Sequence, residues 1–565
     1  MKNLLLLLAL FLINQSLSAQ PCLNSQSSID IHGNNIQARI LNGGDLFTDL
    51  ANGQFIPNPD PNSFENPSTI FAAGIWMGGV DPGGNLKLAT VDYRSNNKYD
   101  YTPGPLDENG TTNIFNCSNW DRHFRVTGEQ IAAFRAALPL TADELKTQFR
   151  EIAGWPALGN PFFEDIWGYE LPFSTQGLAP FHDEANYGTY DPLSGDYPVV
   201  ALRGIPPFVP AEIIWSVFND QNGGGPHSAS GGKALQAEIQ LTVWAFNCQD
   251  EPVLNNTIFT SHKIINRASE PTDSTTFGIW VDIDLGCYLD DYVGCNPNLN
   301  TMYAYNQDPV DGQPGNTCQG VPTFSDAPPV QSIAFLSHPL STFIAPNASG
   351  GNAPPATTDP TTPYEIYNYM TGSWRDGTRF TYGGNGYGGN VPTNHLFPGD
   401  PANPNGWSMC TSNLAFGDRR MLGTTNLGQM LPGQIEYFNT AWAFHPNPSL
   451  PCSVGTTFSD VSKIINLYNN DFEGVCSALK APALPADSLQ LFPNPTSGSA
   501  LLRYGSLRPI SFKAFDAAGR LVLEKTNNFE KKETVIETAS LASGLYMLLI
   551  VTEQGTATKK LAVVR

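Results

Sequence analysis

Four aspartates close together in the chain form the clearest candidate site. Asp282 and Asp284 lie two residues apart in an apolar stretch, and Asp290 and Asp291 follow a turn that contains Gly286. Residues two apart on a strand share a face, so the first pair would present two carboxylates together. Ca²⁺ takes roughly six to eight oxygen ligands, and these side chains would supply about half of them. The pattern predicts a Ca²⁺ site, with solvated or turn-forming aspartates as the alternative.

A second candidate, Asp183, begins a stretch with the outline of a calcium-binding loop. Gly188 stands at the turn position, but Ala185 and Tyr187 occupy the next two ligand positions. Neither of those side chains supplies a carboxylate or amide oxygen, so the loop lacks ligands that Ca²⁺ needs. A structural turn is therefore the favoured interpretation, and a metal-binding Asp183 is the alternative.

Motifs for catalysis are absent from the sequence. There is no His-Glu-x-x-His, no Gly-x-Ser-x-Gly, no phosphate-binding loop and no dinucleotide fingerprint. A glycosidase needs only two carboxylates at a suitable distance, and Glu164 with Asp165, or Asp183 with Glu184, would provide such a pair. No catalytic or cofactor-binding residue is predicted, and a secreted hydrolase acting on polysaccharide stays open as an alternative function.

Aromatic residues in a glycine-rich region also have two interpretations. Trp374, Tyr382, Tyr387 and Trp407 lie in or beside residues 296–405, a stretch rich in Gly, Pro, Asn and Thr. Exposed aromatic rings can stack on sugars, whereas buried rings anchor the loops that carry them. Anchoring is the favoured interpretation.

Strands are the elements that must position these residues. Apolar and polar residues alternate over residues 237–246, which predicts a central strand. Similar patterns before and after it, with glycine- and proline-rich turns between, favour a β-sandwich. We therefore predict a mainly β body with long loops and a subdivision near 270–300.

A small helical insertion is predicted at about 127–153. Thr127 with Gln130, and Thr141 with Glu144, have the spacing of capping boxes, in which two side chains satisfy the free amides at a helix start. Apolar residues then recur at helical spacing. Two consecutive helices are expected within the β-structure.

The ends of the chain and its charge distribution indicate an exported protein. Residues 1–19 have one basic residue, a short apolar run and a small-residue end, as a signal peptide does. No later stretch has the ~18 apolar residues of a membrane helix.

From Ala486 onward ten basic and seven acidic residues give a net charge of +3, so the rest of the chain, whose total charge is −22, carries −25. The change of sign indicates a domain boundary, and the acidic part argues against nucleic acid as a partner.

The nine cysteines are expected to be mostly disulfide-bonded in an exported chain. Cys452 with Cys476 is the favoured pair, because the two flank one predicted helix. Cys287 is expected to pair with Cys295 or Cys318. The odd cysteine is expected to be Cys22, near a free end.

The pattern of the last eighty or so residues predicts seven short strands, which is typical of a small β-sandwich. Four segments of this region also resemble a known family. The segments concerned are Leu491-Phe492-Pro493-Asn494-Pro495, residues 515–522, residues 541–546 and the closing residues 559–564. In this order and spacing they resemble the A-type C-terminal sorting domain of the Bacteroidetes type IX secretion system, an immunoglobulin-like β-sandwich. The resemblance implies export by that machinery, removal of the domain by its sortase-like peptidase, and often attachment of the remainder to surface lipopolysaccharide.

The predicted organisation is a signal peptide at 1–19, a body at 20–480, a linker at 481–487 and the sorting domain at 488–565. Segments of the body, among them residues 41–45, 74–79 and 290–295, resemble large secreted Bacteroidetes surface proteins. That group implies no activity. We predict a secreted or surface-anchored protein whose body is a non-enzymatic adhesion, surface-layer or ligand-binding module. Its expected ligand is a glycan or a protein, and Ca²⁺ is the one cofactor considered.

Overall fold

The computed structural model divides the chain into two compact units, residues 1–476 and residues 477–565. It describes residues 22–476 and 489–565, except for residues 64–65, 95–96, 249, 313–317, 347–352, 447–451, 473–474, 505–508, 516–520, 527–532 and 553–554. The predicted signal peptide at 1–19 and the predicted linker at 481–487 lie outside the described residues. We call the first unit the body and the second the tail.

Two nine-stranded sheets, antiparallel throughout their named strand pairs, dominate the body. The strands in chain order are β1 (Ser28–Ile31), β2 (Ile36–Leu41), β3 (Asp45–Leu46), β4 (Phe55–Pro57), β5 (Ile70–Val80), β6 (Leu86–Thr90), β7 (Thr102–Pro103), β8 (Phe124–Thr127), β9 (Phe181–His182), β10 (Tyr197–Pro198), β11 (Val200–Leu202), β12 (Ile205–Phe208), β13 (Glu212–Asn219), β14 (Ala237–Ala245), β15 (Thr257–Asn266), β16 (Thr272–Ile283), β17 (Asp291–Asn296), β18 (Thr301–Asn306), β19 (Val330–Phe335), β20 (Thr342–Ile344), β21 (Arg419–Met430) and β22 (Ile435–His445).

The first sheet has the order β1-β2-β3-β5-β16-β21-β20, with β4 beside β2 and β6 beside β5. The second has the order β17-β18-β19-β22-β15-β14-β13-β7, with β8 beside β13. The predicted central strand is β14, which pairs with β13 on one side and β15 on the other. β16 and β17, on either side of the predicted subdivision near 270–300, belong to different sheets of the same compact unit.

The main hydrophobic core lies between the two sheets. Ile75 and Ile279 of the first sheet belong to the same buried cluster as Leu241 and Ile264 of the second. Successive side chains of a strand point to opposite faces, so Trp244, three residues after Leu241 on β14, points away from this core. It belongs to a different cluster on the outer face of the second sheet. The body is therefore a β-sandwich with a second core outside one of its sheets.

Helices cover that outer face. The predicted insertion forms helices Gly128–Ala137, Ala142–Gln148 and Arg150–Ala153, and both predicted capping boxes are present. None of the described helices is long and apolar enough to span a membrane. The remaining α-helices are Ile114–Asn119, Phe163–Trp167, Pro252–Asn255, Pro363–Met370 and Thr457–Asn469, and short 3-10 helices cover Pro192–Ser194, Asn222–Gly224, Pro297–Leu299 and Pro355–Thr357.

Four disulfide bonds cross-link the body: Cys22–Cys117, Cys248–Cys476, Cys287–Cys318 and Cys410–Cys452. The predicted bond between Cys452 and Cys476 is wrong. The 13-residue helix between them is about 20 Å long, whereas bonded cysteines have Cα atoms within roughly 7 Å. Of the two partners predicted for Cys287, Cys318 is the one observed.

The unpaired cysteine is Cys295 and not, as predicted, Cys22. Cys295 lies on β17 in the main core, where its Sγ donates to the carbonyl oxygen of Leu396 at 3.4 Å. Cys22 is fully buried and bonded to Cys117, so its place near the chain start does not leave it free.

The described part of the tail contains seven strands, the number that the sequence predicts, in a three-stranded and a four-stranded sheet. Buried residues of both sheets, including Leu502, Ile536 and Leu548, form one core cluster. The strands are β23 (Gln490–Phe492), β24 (Ser499–Arg503), β25 (Pro509–Phe515), β26 (Leu521–Thr526), β27 (Glu533–Glu537), β28 (Gly544–Thr552) and β29 (Gly555–Val563). Their orders are β23-β24-β27 and β26-β25-β28-β29.

Candidate functional site

Asp282 lies near the end of β16, in the middle of the first sheet. Its cross-strand neighbour on β21 is Arg420. The side chain is 5% exposed, its Oδ2 accepts a hydrogen bond from the hydroxyl of Tyr93 at 2.7 Å, and its Oδ1 is 3.7 Å from Nε of Arg420. The carboxylate is thus held by one phenol and one guanidinium.

Arg420 joins several acidic groups at this point of the sheet. Its Nη2 is 3.0 Å from Asp418 and its Nη1 is 3.8 Å from Asp359, in addition to the contact with Asp282. Its Nε also donates to the hydroxyl of Tyr93 at 2.5 Å. We call Tyr93, Asp282, Asp284, Asp418 and Arg420 the Arg420 cluster.

The two predicted aspartates of this cluster titrate near neutral pH. Burial raises the pKa of Asp282 to about 7, partly offset by the charge of Arg420. Burial and the neighbouring Asp282 raise the pKa of Asp284 to about 8. Carboxyl groups with such pKa values can exchange protons at neutral pH, which is the property that general acid–base catalysis requires.

Asp290 and Asp291 lie at the start of β17, where main-chain amides bind one oxygen of each. Oδ2 of Asp290 accepts from the amide of Gly312 at 2.8 Å, and Oδ2 of Asp291 accepts from that of Leu285 at 3.1 Å. Burial raises the pKa of both side chains. Both aspartates thereby connect the start of β17 to neighbouring loops.

The structure adds Asp311 to this region, a residue that the sequence analysis does not single out. One ligand atom from each of Asp290, Asp311 and Cys287 lies within 4.8 Å of the other two. The sulfur of Cys287 is bonded to Cys318 and so is no thiolate ligand. Asp311 follows Asp290 by about twenty residues, and only the return of the chain after β18 brings the two together.

The four predicted aspartates therefore have different partners. Asp282 and Asp284 belong to the Arg420 cluster, whereas Asp290 is grouped with Asp311. The two regions are close enough for the charge of Asp284 to act on Asp291. A Ca²⁺ ion bound by Asp282, Asp284, Asp290 and Asp291 together remains a prediction.

Asp183 closes the turn that it begins. Its Oδ1 accepts from the amide of Tyr187 at 3.0 Å, and its Oδ2 accepts from that of Gly188 at 2.7 Å. Gly188 has φ +76°, the left-handed region that glycine adopts without a steric cost. The amide of Gly188, and after it that of Tyr187, lower the pKa of Asp183. Both carboxylate oxygens therefore stabilise the turn.

The loop aromatics are mostly anchors. Trp374 is fully buried and donates from Nε1 to Gly386, and Trp407 is 5% exposed and donates from Nε1 to Gly384. Tyr382 is half exposed and packs on Trp407 with ring centroids 4.6 Å apart. Of these three rings, that of Tyr382 is exposed enough to contact a ligand.

Comparison with known proteins identifies the tail. Residues 490–564 match the family described as the secretion system C-terminal sorting domain, which belongs to type IX secretion and marks secreted cargo. No curated protein matches the chain. A solved polysaccharide lyase aligns with 58% of this chain and 34% of its own length, at 9% identity and a TM-score of 0.17. A score that low carries no argument about the fold or activity of the body.

Proposed function

We propose that the body is a non-enzymatic module. The premise is that residues 490–564 are a type IX C-terminal sorting domain and that the protein is secreted cargo. The module would serve adhesion, a surface layer or ligand binding outside the cell. The supporting observation is that four of the five carboxylates predicted as site residues are engaged within the fold. Asp183, Asp290 and Asp291 accept main-chain amides, and Asp282 is bound by Tyr93 and Arg420.

We further propose the fate of the two units after export. A sortase-like peptidase would cut within residues 481–487, and the body would then be attached to surface lipopolysaccharide. Mass spectrometry of the surface-released protein tests this step. A mature C-terminus within or next to 481–487 is expected, and an intact tail on the surface protein would contradict it.

A paired assay of the full-length protein separates binding from catalysis. The protein is screened on a glycan array and incubated with a panel of polysaccharides. Retention of a glycan without release of reducing ends or unsaturated products supports the binding module. Because Tyr382 presents a half-exposed ring, Tyr382→Ala should weaken glycan binding, whereas Trp374→Phe, at a fully buried ring, should leave binding unchanged.

One observation favours a polysaccharide hydrolase as the second candidate. In the Arg420 cluster, Asp282 and Asp284 have pKa values of about 7 and 8, and glycoside hydrolysis uses a pair of carboxyl groups in different protonation states. Product release that is lost in Asp284→Asn, while the variant still binds the glycan, would replace the first proposal with this one. Activity that survives Asp284→Asn would place catalysis elsewhere.

A further inference from the structure

The loops at the start of β17 and the end of β18 form a buried, oxygen-rich site. β17 and β18 are paired so that Asp291 faces Asn306, which puts Asp290 beside the chain that leaves β18. The amide of Gln307 donates to the main-chain oxygen of Asp290 at 2.9 Å. The loop that follows then brings Asp311 within 4.8 Å of Asp290, as measured between ligand atoms.

The side chain of Asn306 holds this loop in place. Its Nδ2 donates to the main-chain oxygens of Asp308 and Val310, at 3.1 Å each. Asn306 also lies beside the carboxyl of Asp290. The amide nitrogen is thus occupied, and the remaining polar atom of the side chain is its oxygen.

Two buried oxygens in this site have no partner among the described residues. They are Oδ1 of Asp290 and Oδ1 of Asn306. Asp290 is 6% exposed and Asn306 is 4% exposed, so solvent reaches neither side chain freely. A buried polar atom without a partner is costly, and such atoms in folded proteins are usually satisfied by an ion or water.

Among the described residues, the site also lacks a compensating positive charge. Within the described part of the chain, no lysine, arginine or histidine forms an ion pair with Asp290 or Asp311. Burial raises the pKa of Asp311 to about 7, and the charges of Asp290 and Asp308 add to the rise. Two buried carboxylates this close repel each other, so a cation between them would be strongly bound.

We propose that Asp290, Asp311 and Asn306 bind a Ca²⁺ ion at this site, with main-chain carbonyls and water as further ligands. All three side chains offer hard oxygen ligands, which favours Ca²⁺ over thiophilic metals. Two oxygens on one ion can be separated by up to about 5 Å for Ca²⁺ but only about 4 Å for Mg²⁺. The ligand atoms of Asp290 and Asp311 lie within 4.8 Å of each other, so both can reach one Ca²⁺ ion.

The location gives such an ion a structural task. Asp290 begins the connection into β17, Asp311 accepts from the amide of Cys287, and Cys287 is bonded to Cys318. One ion would therefore tie together the loop after β16 and the loop after β18. Extracellular Ca²⁺ reaches millimolar concentration, enough to fill sites with dissociation constants of about 0.1–1 mM.

The test is calorimetric titration of CaCl₂, and separately MgCl₂, into full-length protein pretreated with EGTA at pH 7.5. We expect one Ca²⁺ per chain, weaker Mg²⁺ binding, and a Tm about 1–4 °C higher in 5 mM Ca²⁺ than in EGTA. Asp290→Asn should weaken Ca²⁺ binding roughly tenfold or more, since it removes one ligand charge while keeping an oxygen for Gly312.

Asp81→Asn is the matched control, because it removes one carboxylate from the turn between β5 and β6 and none from this site. It should leave Ca²⁺ affinity unchanged. If Asp290→Asn does not fold, Asp311→Asn, which removes the charge of the other carboxylate, should weaken Ca²⁺ binding by a similar factor. Absence of Ca²⁺ binding, unchanged binding by Asp290→Asn, or an equal loss of binding in Asp81→Asn would overturn the assignment.

Discussion

His227 donates a hydrogen bond from Nε2 to the main-chain oxygen of Asp220 at 2.5 Å, and the carboxylate of the same Asp220 lies 3.9 Å from that nitrogen. The other ring nitrogen, Nδ1, donates to the carbonyl oxygen of Leu88 at 2.6 Å and lies 3.9 Å from Asp100. Because carbonyl oxygens only accept, both nitrogens carry protons and the ring is an imidazolium. A buried cation between two buried carboxylates thus joins the loop between β13 and β14 to the loop that precedes β7.

The His227 ion triad predicts a pH-dependent contribution to stability. Burial lowers the pKa of His227, but Asp220 and Asp100 raise it more, so the net shift is upward. A raised histidine pKa stabilises the fold fully below about pH 6.5, and the contribution is lost as pH rises through the folded-state value. His227→Gln should therefore cost about 3 kcal/mol at pH 6 and less at pH 9, measured by urea unfolding.

A suitable control for that experiment is His182→Gln. The side chain of His182 is 40% exposed, stacks on Tyr197 and forms its only ion pair among the described residues with Glu184. Its substitution should change the free energy of unfolding by less than about 0.5 kcal/mol at either pH. A difference between wild type and His227→Gln that stays constant from pH 6 to pH 9 would contradict the imidazolium assignment.

A second prediction concerns the buried ion pair of Arg94 with Asp45. The Arg94 side chain is 3% exposed and also donates to the carbonyl oxygens of Ser25 and Asn42, at 2.7 and 2.8 Å. Arg94→Met should lower the free energy of unfolding by about 3–5 kcal/mol, because it leaves the buried carboxyl of Asp45 without its partner in the core. Arg94→Lys should recover only part of this, since lysine lacks the planar fork. Equal stability of the wild type and Arg94→Met would refute this account.

The Arg420 cluster predicts that acidification stabilises this part of the fold. A carboxyl whose folded-state pKa is raised contributes stability that is present at low pH and lost as pH rises through that value, here about 8 for Asp284. Asp284→Asn, which mimics the protonated form, should be on the order of 2–5 kcal/mol more stable than wild type at pH 8.5 and about equal to it near pH 4. Thermal unfolding at both pH values checks this, and a variant less stable than wild type at pH 8.5 would disprove it.

The disulfide pattern predicts the outcome of thiol labelling. Iodoacetamide should modify Cys295 only after denaturation, because the thiol is buried in the main core. Peptide mapping of the labelled, unreduced protein should recover Cys248 linked to Cys476. Cys295→Ser should preserve all four disulfides, whereas labelling of Cys22 in the native protein would contradict the pairing.

The tail predicts the export phenotype. Deletion of residues 489–565 removes the strands that match the sorting domain, so the body should accumulate inside the outer membrane and disappear from the surface fraction. Asp284→Asn in the full-length chain is the control and should be exported normally. Immunoblots of cell fractions measure the distribution, and surface recovery of the truncated body would show that the tail is dispensable.

Local patterns allowed much of the fold to be predicted. The alternation over residues 237–246 identified β14, the Thr127 and Thr141 capping boxes identified two helix starts, and the tail strands agreed in number with those predicted. Each of these signals depends on residues within a few positions of one another. The sequence by itself therefore determined the secondary structure, the β class and the export route of the protein.

Contacts between distant residues were decided by the tertiary structure alone. Asp311 joins Asp290, Arg420 faces Asp282, and Cys476 pairs with Cys248 across 228 residues. Strand order and register determine which distant side chains meet, and no local spacing encodes either of them. For that reason the acidic residues could be recognised from the sequence, but their grouping into an arginine-bound cluster and a separate oxygen-rich site depended on how the two sheets fold together.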